Sequence, residues 1–275
     1  AVMKQDKGTE IVIDWADGTS IRMSAAQLYD LVFESNNKWM LSANGTLFTY
    51  EFEAIIPGLL KRWYAERQEM QRKMGDCGDN EIERAYWDKR QLVKKINLNS
   101  LYGALLNPGC RFFDIRIGQS VTLTGRCITK HMAAKVNDIV AGKYNHTGES
   151  IIYGDTDSVY FTAHKTLQND IDAGKITWSK ESVIALYDKI AEEMNTSFTG
   201  FMTKEFHCPH TRGSVIRAGR ELVAIKGLFI TKKRYAVLYY DIEGERTDTA
   251  GKEGKVKAMG LDLKRSDTPV FVQNF

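Results

Sequence analysis

The sequence has little of what marks membrane, secreted or linker-rich proteins. Only four prolines occur in 275 residues, and no internal repeat or low-complexity tract marks a flexible linker. No apolar run approaches the roughly 18 residues that a membrane-spanning helix needs. Residues 1–6 also lack a signal-peptide pattern. These absences predict a soluble protein with no membrane partner.

Cysteine and net charge are low as well. The four cysteines lie far apart without a C-x-x-C pair, which argues against both a zinc ribbon and a disulfide framework and favours a reducing, cytoplasmic compartment. Lysine and arginine total 38 against 35 acidic residues, a net charge of +3. Bulk charge therefore does not identify a nucleic-acid-binding protein, and any such site must come from local clusters.

Helical periodicity is present in the first half of the chain. Apolar residues recur at helical spacing beyond Pro57 up to Met74, and again from Glu81 to about Leu105. The turn-forming residues 75–80 separate these segments, so an antiparallel helix pair is predicted. Further helices are predicted from Ser120 to Val140 and after Ser179, a plausible N-cap.

Strand patterns lie on both sides of these helices. Residues 9–23 alternate around a turn at Asp17-Gly18, which predicts a small hairpin. Two short β-branched and aromatic segments flank residues 154–157, and two longer ones (Leu222 to Ile230, Tyr235 to Ile242) flank residues 231–234. Because strands and helices mix without strict βαβ alternation, the predicted fold class is α+β.

Two carboxylates stand at the tip of the short predicted hairpin. Residues two apart in an extended strand project to the same side, so Asp155 and Asp157 should point toward one place. Two adjacent carboxylates repel each other unless a cation neutralises them, and hard oxygen ligands suit Mg²⁺. The pair is therefore a candidate two-metal site for phosphoryl or nucleotidyl transfer. The alternative is a solvated turn, since glycine and aspartate both favour turns.

The second helix of the predicted pair has a polar face. Lys95, Asn99 and Tyr102 stand at i, i+4 and i+7 and could bind a triphosphate and cover a base. Arg67 on the first helix, with Arg72 and Lys73 beyond it, could extend a basic stripe toward the same cleft. The alternative is an ordinary solvated helix face.

Two segments carry a family resemblance. The segment Lys95 to Gly103 is similar to motif B of family B DNA polymerases, K-x3-N-S-x-Y-G, and the segment Tyr153 to Ser158 matches their motif C, Y-G-D-T-D-S. Weaker similarities lie around Arg67, at residues 232–235 (the K-K-R-Y segment) and at residues 259–269 (the palm-to-thumb junction). The local amino-acid sequence is most similar to that of T-even-type phage replicative polymerases.

The resemblance implies a polymerase palm, an antiparallel sheet with packed helices, and an antiparallel two-helix fingers hairpin. Residues 1–50 would lead into the fingers, 51–105 would form the fingers hairpin, and 106–275 would form the palm. Asp155 and Asp157 would be catalytic ligands of two Mg²⁺ ions, with Mn²⁺ a possible substitute. The remaining site residues it implies are the nucleotide-binding Arg67, Lys95, Asn99 and Tyr102 and the DNA-binding Lys232, Lys233, Arg234 and Tyr235.

One family motif has no counterpart in the sequence. Motif A, D-x-x-S-L-Y-P-S, contributes a further metal-binding aspartate to the family, and neither it nor an exonuclease or thumb region is found. The resemblance therefore implies a fragment or a split-gene product that acts in the cytoplasm. If a phage encodes it, this would be the cytoplasm of the host cell. It would act on primer–template DNA and deoxynucleoside triphosphates with a second polypeptide that carries the exonuclease and motif A, and with a thumb segment.

Two other functions remain open from the sequence. The first is a non-catalytic, duplex-DNA-binding polymerase-like module or replisome scaffold. The second is a reverse transcriptase or RNA polymerase, because such enzymes share the hairpin chemistry.

Overall fold

The structure is a computed structural model that describes residues 2–249 and 251–261. These residues form helices and small antiparallel sheets, which confirms the α+β class. None of the helices in these two ranges is both long and apolar enough to cross a lipid bilayer. The chain divides into two compact units. The first holds the residues up to Thr124 together with Phe206–Cys208, and the second holds Gly125–Glu205 and the described residues from Pro209 onward.

The first unit contains short strands followed by long helices. Its elements are α1 (Val2–Gln5), β1 (Glu10–Asp14), β2 (Ser20–Ser24), α2 (Ala25–Tyr29), a π-helical turn (Asp30–Glu34), β3 (Trp39–Leu41), β4 (Leu47–Thr49), α3 (Ile55–Asp76), α4 (Glu81–Leu105) and the start of α5 (Ile115–Ala141). The pairs β1–β2 and β3–β4 are antiparallel two-stranded sheets. The predicted hairpin of residues 9–23 is confirmed by β1 and β2, with Ile11 opposite Met23.

The two long helices of this unit begin and end near the predicted positions. Helix α3 begins at Ile55, which places Pro57 in its first turn. Proline is tolerated there because the N–H groups of the first turn have no acceptor within the helix. Helix α4 begins at Glu81 because the Asn80 side chain accepts a hydrogen bond from the Glu83 N–H at 3.1 Å.

Side chains join α3 to α4 near the middle of both helices. Glu66 pairs with Lys94 at 2.5 Å, and Arg67 Nε donates to Gln91 Oε1 at 3.2 Å. Nearer the turn that connects the two helices, Lys73 Nζ lies 4.7 Å from the ring centroid of Trp87. Later residues of α3 contact earlier residues of α4, so the two helices run antiparallel.

The second unit contains two separate sheets and the longest helices. Its elements are the rest of α5, β5 (Ile151–Asp155), β6 (Ser158–Phe161), α6 (His164–Asp172), α7 (Lys180–Phe206), α8 (His210–Gly213), β7 (Leu222–Thr231), β8 (Arg234–Ile242), β9 (Glu245–Arg246) and β10 (Lys255–Met259). Strands β5 and β6 pair with each other. The second sheet has the order β10-β8-β7, with β9 also pairing with β8.

The core of this unit is formed where α5 packs against α7. Buried apolar side chains at i and i+4 on each helix interdigitate there: Met132 and Val136 from α5, and Ile190, Met194 and Phe198 from α7. Burying each such side chain contributes about 1.5–3 kcal/mol. Both helices are therefore firmly held, and β5 and β6 pack on them through Ile151, Val159 and Phe161.

The starts of α5 and α7 follow from capping side chains. Asp114 accepts a hydrogen bond from the Arg116 N–H at 2.9 Å, so α5 begins at Ile115 rather than at the predicted Ser120. Ser179 Oγ accepts from the Ser182 N–H at 3.2 Å, which confirms Ser179 as the N-cap of α7.

Candidate functional site

The two carboxylates of the predicted site lie at a two-residue turn. Asp155 is the last residue of β5 and pairs in register with Ser158, the first residue of β6. Thr156 and Asp157 form the turn, and Thr156 adopts a left-handed φ of 43°. The extended-strand argument therefore applies to Asp155 but not to Asp157. Asp155 is half-buried, whereas Asp157 is exposed.

Hydrogen bonds hold the turn on both sides. The Thr156 hydroxyl donates to Asp155 Oδ1 at 3.1 Å, and the Ser158 hydroxyl donates to the Asp155 carbonyl at 3.2 Å. The Thr129 hydroxyl, on α5, donates to the Thr156 carbonyl at 2.7 Å. Nothing in the sequence singles out Thr129, because its partner lies 27 positions away.

The donor set at this turn fits part of a magnesium site. Mg²⁺ is commonly bound by one or two carboxylates, with waters and phosphate oxygens as its other ligands. Asp155 and Asp157 supply two such carboxylates on one turn. Across residues 2–249 and 251–261, no group of three or more His, Cys, Asp or Glu side chains is placed to hold a metal ion. A complete site thus needs oxygen ligands in addition to these two.

An aromatic cluster lies behind the turn. Its members are the side chains of Tyr153, Tyr160, Phe229 and Tyr235, with ring centroids 5.2–6.1 Å apart. The Tyr160 hydroxyl donates to the Tyr235 hydroxyl at 3.2 Å. Burial, and then the bond to Tyr235, raise the pKa of Tyr160 above its usual range, so its hydroxyl keeps its proton. The cluster joins β5 and β6 to β7 and β8.

The basic segment 232–235 lies against this cluster. Lys232 and Lys233 form the turn between β7 and β8, and both side chains are exposed. Lys233 has a left-handed φ of 61°, and its backbone N–H donates to the Tyr153 hydroxyl at 2.7 Å. Arg234 Nε donates to the Gly260 carbonyl at 3.2 Å, and Tyr235 is buried in the cluster. The structure therefore brings the basic segment close to the strand that ends at Asp155.

The remaining predicted site residues lie in the first unit, on α3 and α4. Lys95 and Asn99 are exposed on α4. The half-buried Tyr102 donates its hydroxyl to the Gly118 carbonyl at 3.4 Å. Arg67 is half-buried, and its bond to Gln91 fixes one edge of the guanidinium.

Acidic partners offset part of the basic stripe predicted on α3. Arg72 pairs with Glu69 and Asp76, each at 2.8 Å, and these carboxylates raise the pKa of Arg72. Lys73 lies 3.7 Å from Glu69. The charges of Arg72 and Lys73 are thus balanced within their own helix, an i+3 and i+4 pattern that the sequence does contain.

A cavity of about 620 Å³ opens beside the carboxylate turn, within the second unit. Its lining includes Thr129, Thr156, Asp157 and Ser158, together with apolar side chains of α5, α7, β6 and β7. The charged residues Arg217, Arg220, Glu221 and Lys226 also line it. Strands β6 and β7 both border the cavity, yet they do not pair with each other among the described residues. Asp157 therefore lines a groove of mixed polar and apolar character that β6 and β7 border.

Comparison with known proteins identifies the family of the chain. The model of DNA polymerase family B matches residues 21–275. The chain is 32% identical to a DNA-directed DNA polymerase of Escherichia phage RB69, and 30% identical to one of Enterobacteria phage T4. Each alignment covers 66% of this chain and 21% of the relative. It is also 30% identical to the DNA polymerase delta catalytic subunit of Oryza sativa, over 81% of this chain and 17% of the relative. The chain thus spans about a fifth of the length of these curated relatives.

Proposed function

The chain belongs to DNA polymerase family B, and we propose that it is the fingers and palm part of a DNA-directed DNA polymerase that carries out template-directed nucleotidyl transfer in replication. Helices α3 and α4, within residues 51–105, would be the fingers hairpin. Residues 106–275, with the carboxylate turn, would be the palm.

One observation carries the proposal: the Lys233 backbone is bonded to Tyr153, two residues before Asp155. A polymerase must hold the primer end beside its metal-binding carboxylates, because nucleotidyl transfer depends on in-line positioning. Lys232 and Lys233 present exposed ammonium groups next to β5 and would bind backbone phosphates, contacts that position DNA without reading its sequence. Arg234 and Tyr235 would hold this turn and complete the DNA-binding segment.

The carboxylates would do the metal-binding part of the chemistry. Two Mg²⁺ ions, or Mn²⁺, bound there supply Lewis-acid activation of the attacking and leaving oxygens. Asp157, which is exposed and lines the groove, would be the main ligand. Asp155, held by the Thr156 hydroxyl, would be the adjacent ligand. On α4, Lys95 and Asn99 would bind the incoming triphosphate with Arg67, and Tyr102 would pack beneath the nascent base pair.

A segment outside these residues would complete the site. The turn offers two carboxylates, and the groove beside Asp157 is bordered by strands that leave edges unpaired among the described residues. Unpaired edges accept a further strand through backbone hydrogen bonds. We therefore propose that an extended segment carrying a further aspartate lies there. It would belong to a polypeptide that also carries the exonuclease, and a thumb segment would complete the enzyme.

Primer extension tests the proposal. The full chain would be mixed with a polypeptide bearing D-x-x-S-L-Y-P-S, primer–template DNA, deoxynucleoside triphosphates and Mg²⁺. Incorporation should occur, and Asp157→Asn should abolish it while leaving duplex binding intact. The control is Asp170→Asn on α6, which removes a surface carboxylate paired with Lys175 at 3.0 Å. Extension by Asp157→Asn at the unsubstituted rate would overturn the metal role.

One observation favours a second candidate, a non-catalytic module that grips duplex DNA. In the described part of the chain, no cluster of three metal-binding side chains is present. Such a module would show no Mg²⁺-dependent or Mn²⁺-dependent gain in triphosphate affinity, whereas the polymerase part should show one. Titrating the full chain with a triphosphate, with and without Mg²⁺, separates the two.

A further inference from the structure

The turn that carries the two carboxylates has an unfavourable backbone conformation at its centre. Thr156 is β-branched, and a β-branched residue with a left-handed φ is an outlier that surrounding contacts must stabilise. Its own hydroxyl donates to Asp155 Oδ1, and its carbonyl accepts a hydrogen bond from a different element.

Thr129 supplies that contact. Threonine in a helix commonly donates to the carbonyl four residues back, and Gly125 O lies 3.1 Å from the Thr129 hydroxyl. The Thr156 carbonyl is nearer, at 2.7 Å, a normal length for an O–H···O bond. The one hydroxyl proton is therefore directed mainly at the turn.

The donor stands on a rigid support. Thr129 lies one helical turn before Met132, which is buried in the core with Val136, Met194 and Phe198. The turn is thus held from a packed helix, and its position does not depend on β5 and β6 alone.

The bond fixes the direction of Asp157. The Thr156 carbonyl belongs to the same planar peptide unit as the Asp157 nitrogen, so holding the oxygen fixes the orientation of the plane. The plane in turn sets the direction in which the Asp157 side chain leaves the backbone. Thr129, Thr156 and Asp157 all line the groove, so the bond acts beside the proposed metal ligand.

We propose that Thr129 is a positioning residue for Asp157: its hydroxyl fixes the Thr156–Asp157 peptide plane and holds the carboxylate in its metal-binding direction. The inference rests on the proposed metal-binding role of Asp157.

Three variants of the full chain test this role. Thr129→Val keeps the shape and removes the donor, and Thr129→Ser keeps the donor. Thr122→Val is the matched control, because Thr122 lies on the same helix and its hydroxyl donates to the α5 carbonyls of Gly118 and Gln119, each at 3.2 Å. The two readouts are the carbonyl ¹³C resonance of Thr156 and the Mn²⁺ dissociation constant from water-proton relaxation.

Thr129→Val should shift the Thr156 carbonyl resonance and weaken Mn²⁺ binding about tenfold, as loss of a group that orients a metal ligand does. Thr129→Ser should restore both readouts, and Thr122→Val should leave both unchanged. If Thr129→Val lowers only the stability of the fold, with both readouts as in the unsubstituted chain, the role is overturned. It is equally overturned if Thr129→Ser behaves like Thr129→Val.

Asp157→Asn separates this inference from the proposed function. If it weakens Mn²⁺ binding while Thr129→Val does not, the positioning role fails and the metal site stands. If it leaves Mn²⁺ binding unchanged, the metal role of Asp157 fails, and the Thr156 resonance alone decides whether Thr129 holds the turn.

Discussion

The Tyr153 hydroxyl accepts a hydrogen bond of 2.7 Å from the Lys233 backbone N–H, a partner 80 positions away in sequence. Tyr153 stands on the strand that ends at Asp155, and Lys233 stands in the basic turn between β7 and β8. Packing of Tyr153 against Phe229 and Tyr235 supports the same junction. The carboxylate turn and the basic turn are therefore linked by a polar bond as well as by packing.

Removing the Tyr153 hydroxyl should loosen this link. In Tyr153→Phe the Lys233 N–H loses its acceptor, and because the turn is exposed, water replaces it at a cost of about 0.5–1.5 kcal/mol. Hydrogen exchange of the Lys233 amide should accelerate. Tyr64→Phe, at a side chain 53% exposed, is the control and should leave that amide unchanged. An unchanged exchange rate in Tyr153→Phe would show that the bond is absent in solution.

The basic turn should contribute electrostatic affinity for DNA. Lys232→Gln or Lys233→Gln should weaken duplex binding to a similar degree for every sequence. Each should also reduce the slope of log K against log salt by about 1, because one phosphate contact is lost. Filter binding at several salt concentrations measures the slope. Lys175→Gln, which removes a lysine paired with Asp170, should leave the slope unchanged. Slopes equal to that control would contradict the DNA-binding role.

Arg220 should be essential to the stability of the second unit. It pairs with Asp188 on α7 at 2.6 Å and with Asp241 on β8, whose side chain is only 3% exposed. Arg220→Met leaves the Asp241 carboxylate buried without its cation, which should cost about 3–5 kcal/mol in urea unfolding. Lys61→Met, which breaks an exposed pair with Glu53, should change stability by less than about 0.5 kcal/mol. Equal effects of the two substitutions would contradict this role.

A buried histidine should make stability depend on pH. His131 Nδ1 lies 2.7 Å from the Tyr144 hydroxyl and Nε2 lies 2.9 Å from Ser197 Oγ, which itself donates to the Met194 carbonyl. The network assigns a neutral ring with its proton on Nε2. Burial, and then the charge of Lys135, lower the pKa of His131, while Glu205 opposes them.

The sign of the effect follows from linkage. Below the pKa of about 6.5 of an unfolded histidine, the unfolded chain binds a proton that the folded chain does not. The free energy of unfolding should therefore fall as pH drops below that value, by up to about 1.4 kcal/mol per pH unit, until the folded pKa is reached. Urea unfolding at pH 7.5 and 5.5 measures this loss, and His131→Gln should reduce it. An equal loss in both proteins would contradict the assignment.

Local signals in the sequence predicted the long helices and three of the hairpins, but not the short elements α2, β3, β4, α6 and β10 or the contacts between elements. The bounds of α4 follow from helical periodicity and from the Asn80 cap, which are both local. The β5–β6 hairpin follows from two β-branched and aromatic segments on either side of residues 154–157, of which Thr156 and Asp157 form the turn. The Thr129–Thr156 and Tyr153–Lys233 bonds join residues 27 and 80 positions apart, and no local pattern encodes such partners.

The carboxylates show where periodicity stops being informative. An alternating strand pattern predicts side-chain direction only while the backbone stays extended. Asp155 meets that condition, but the left-handed Thr156 ends it before Asp157. The direction of Asp157 is therefore set by the turn and by Thr129.

Paramagnetic mapping with Mn²⁺ tests the central proposal most directly. Substoichiometric Mn²⁺ added to the isotopically labelled full chain should broaden the amide resonances of residues 153–158 first, and Asp157→Asn should remove that selectivity. Broadening centred on another acidic surface, or spread evenly over the protein, would contradict a metal site at Asp155 and Asp157.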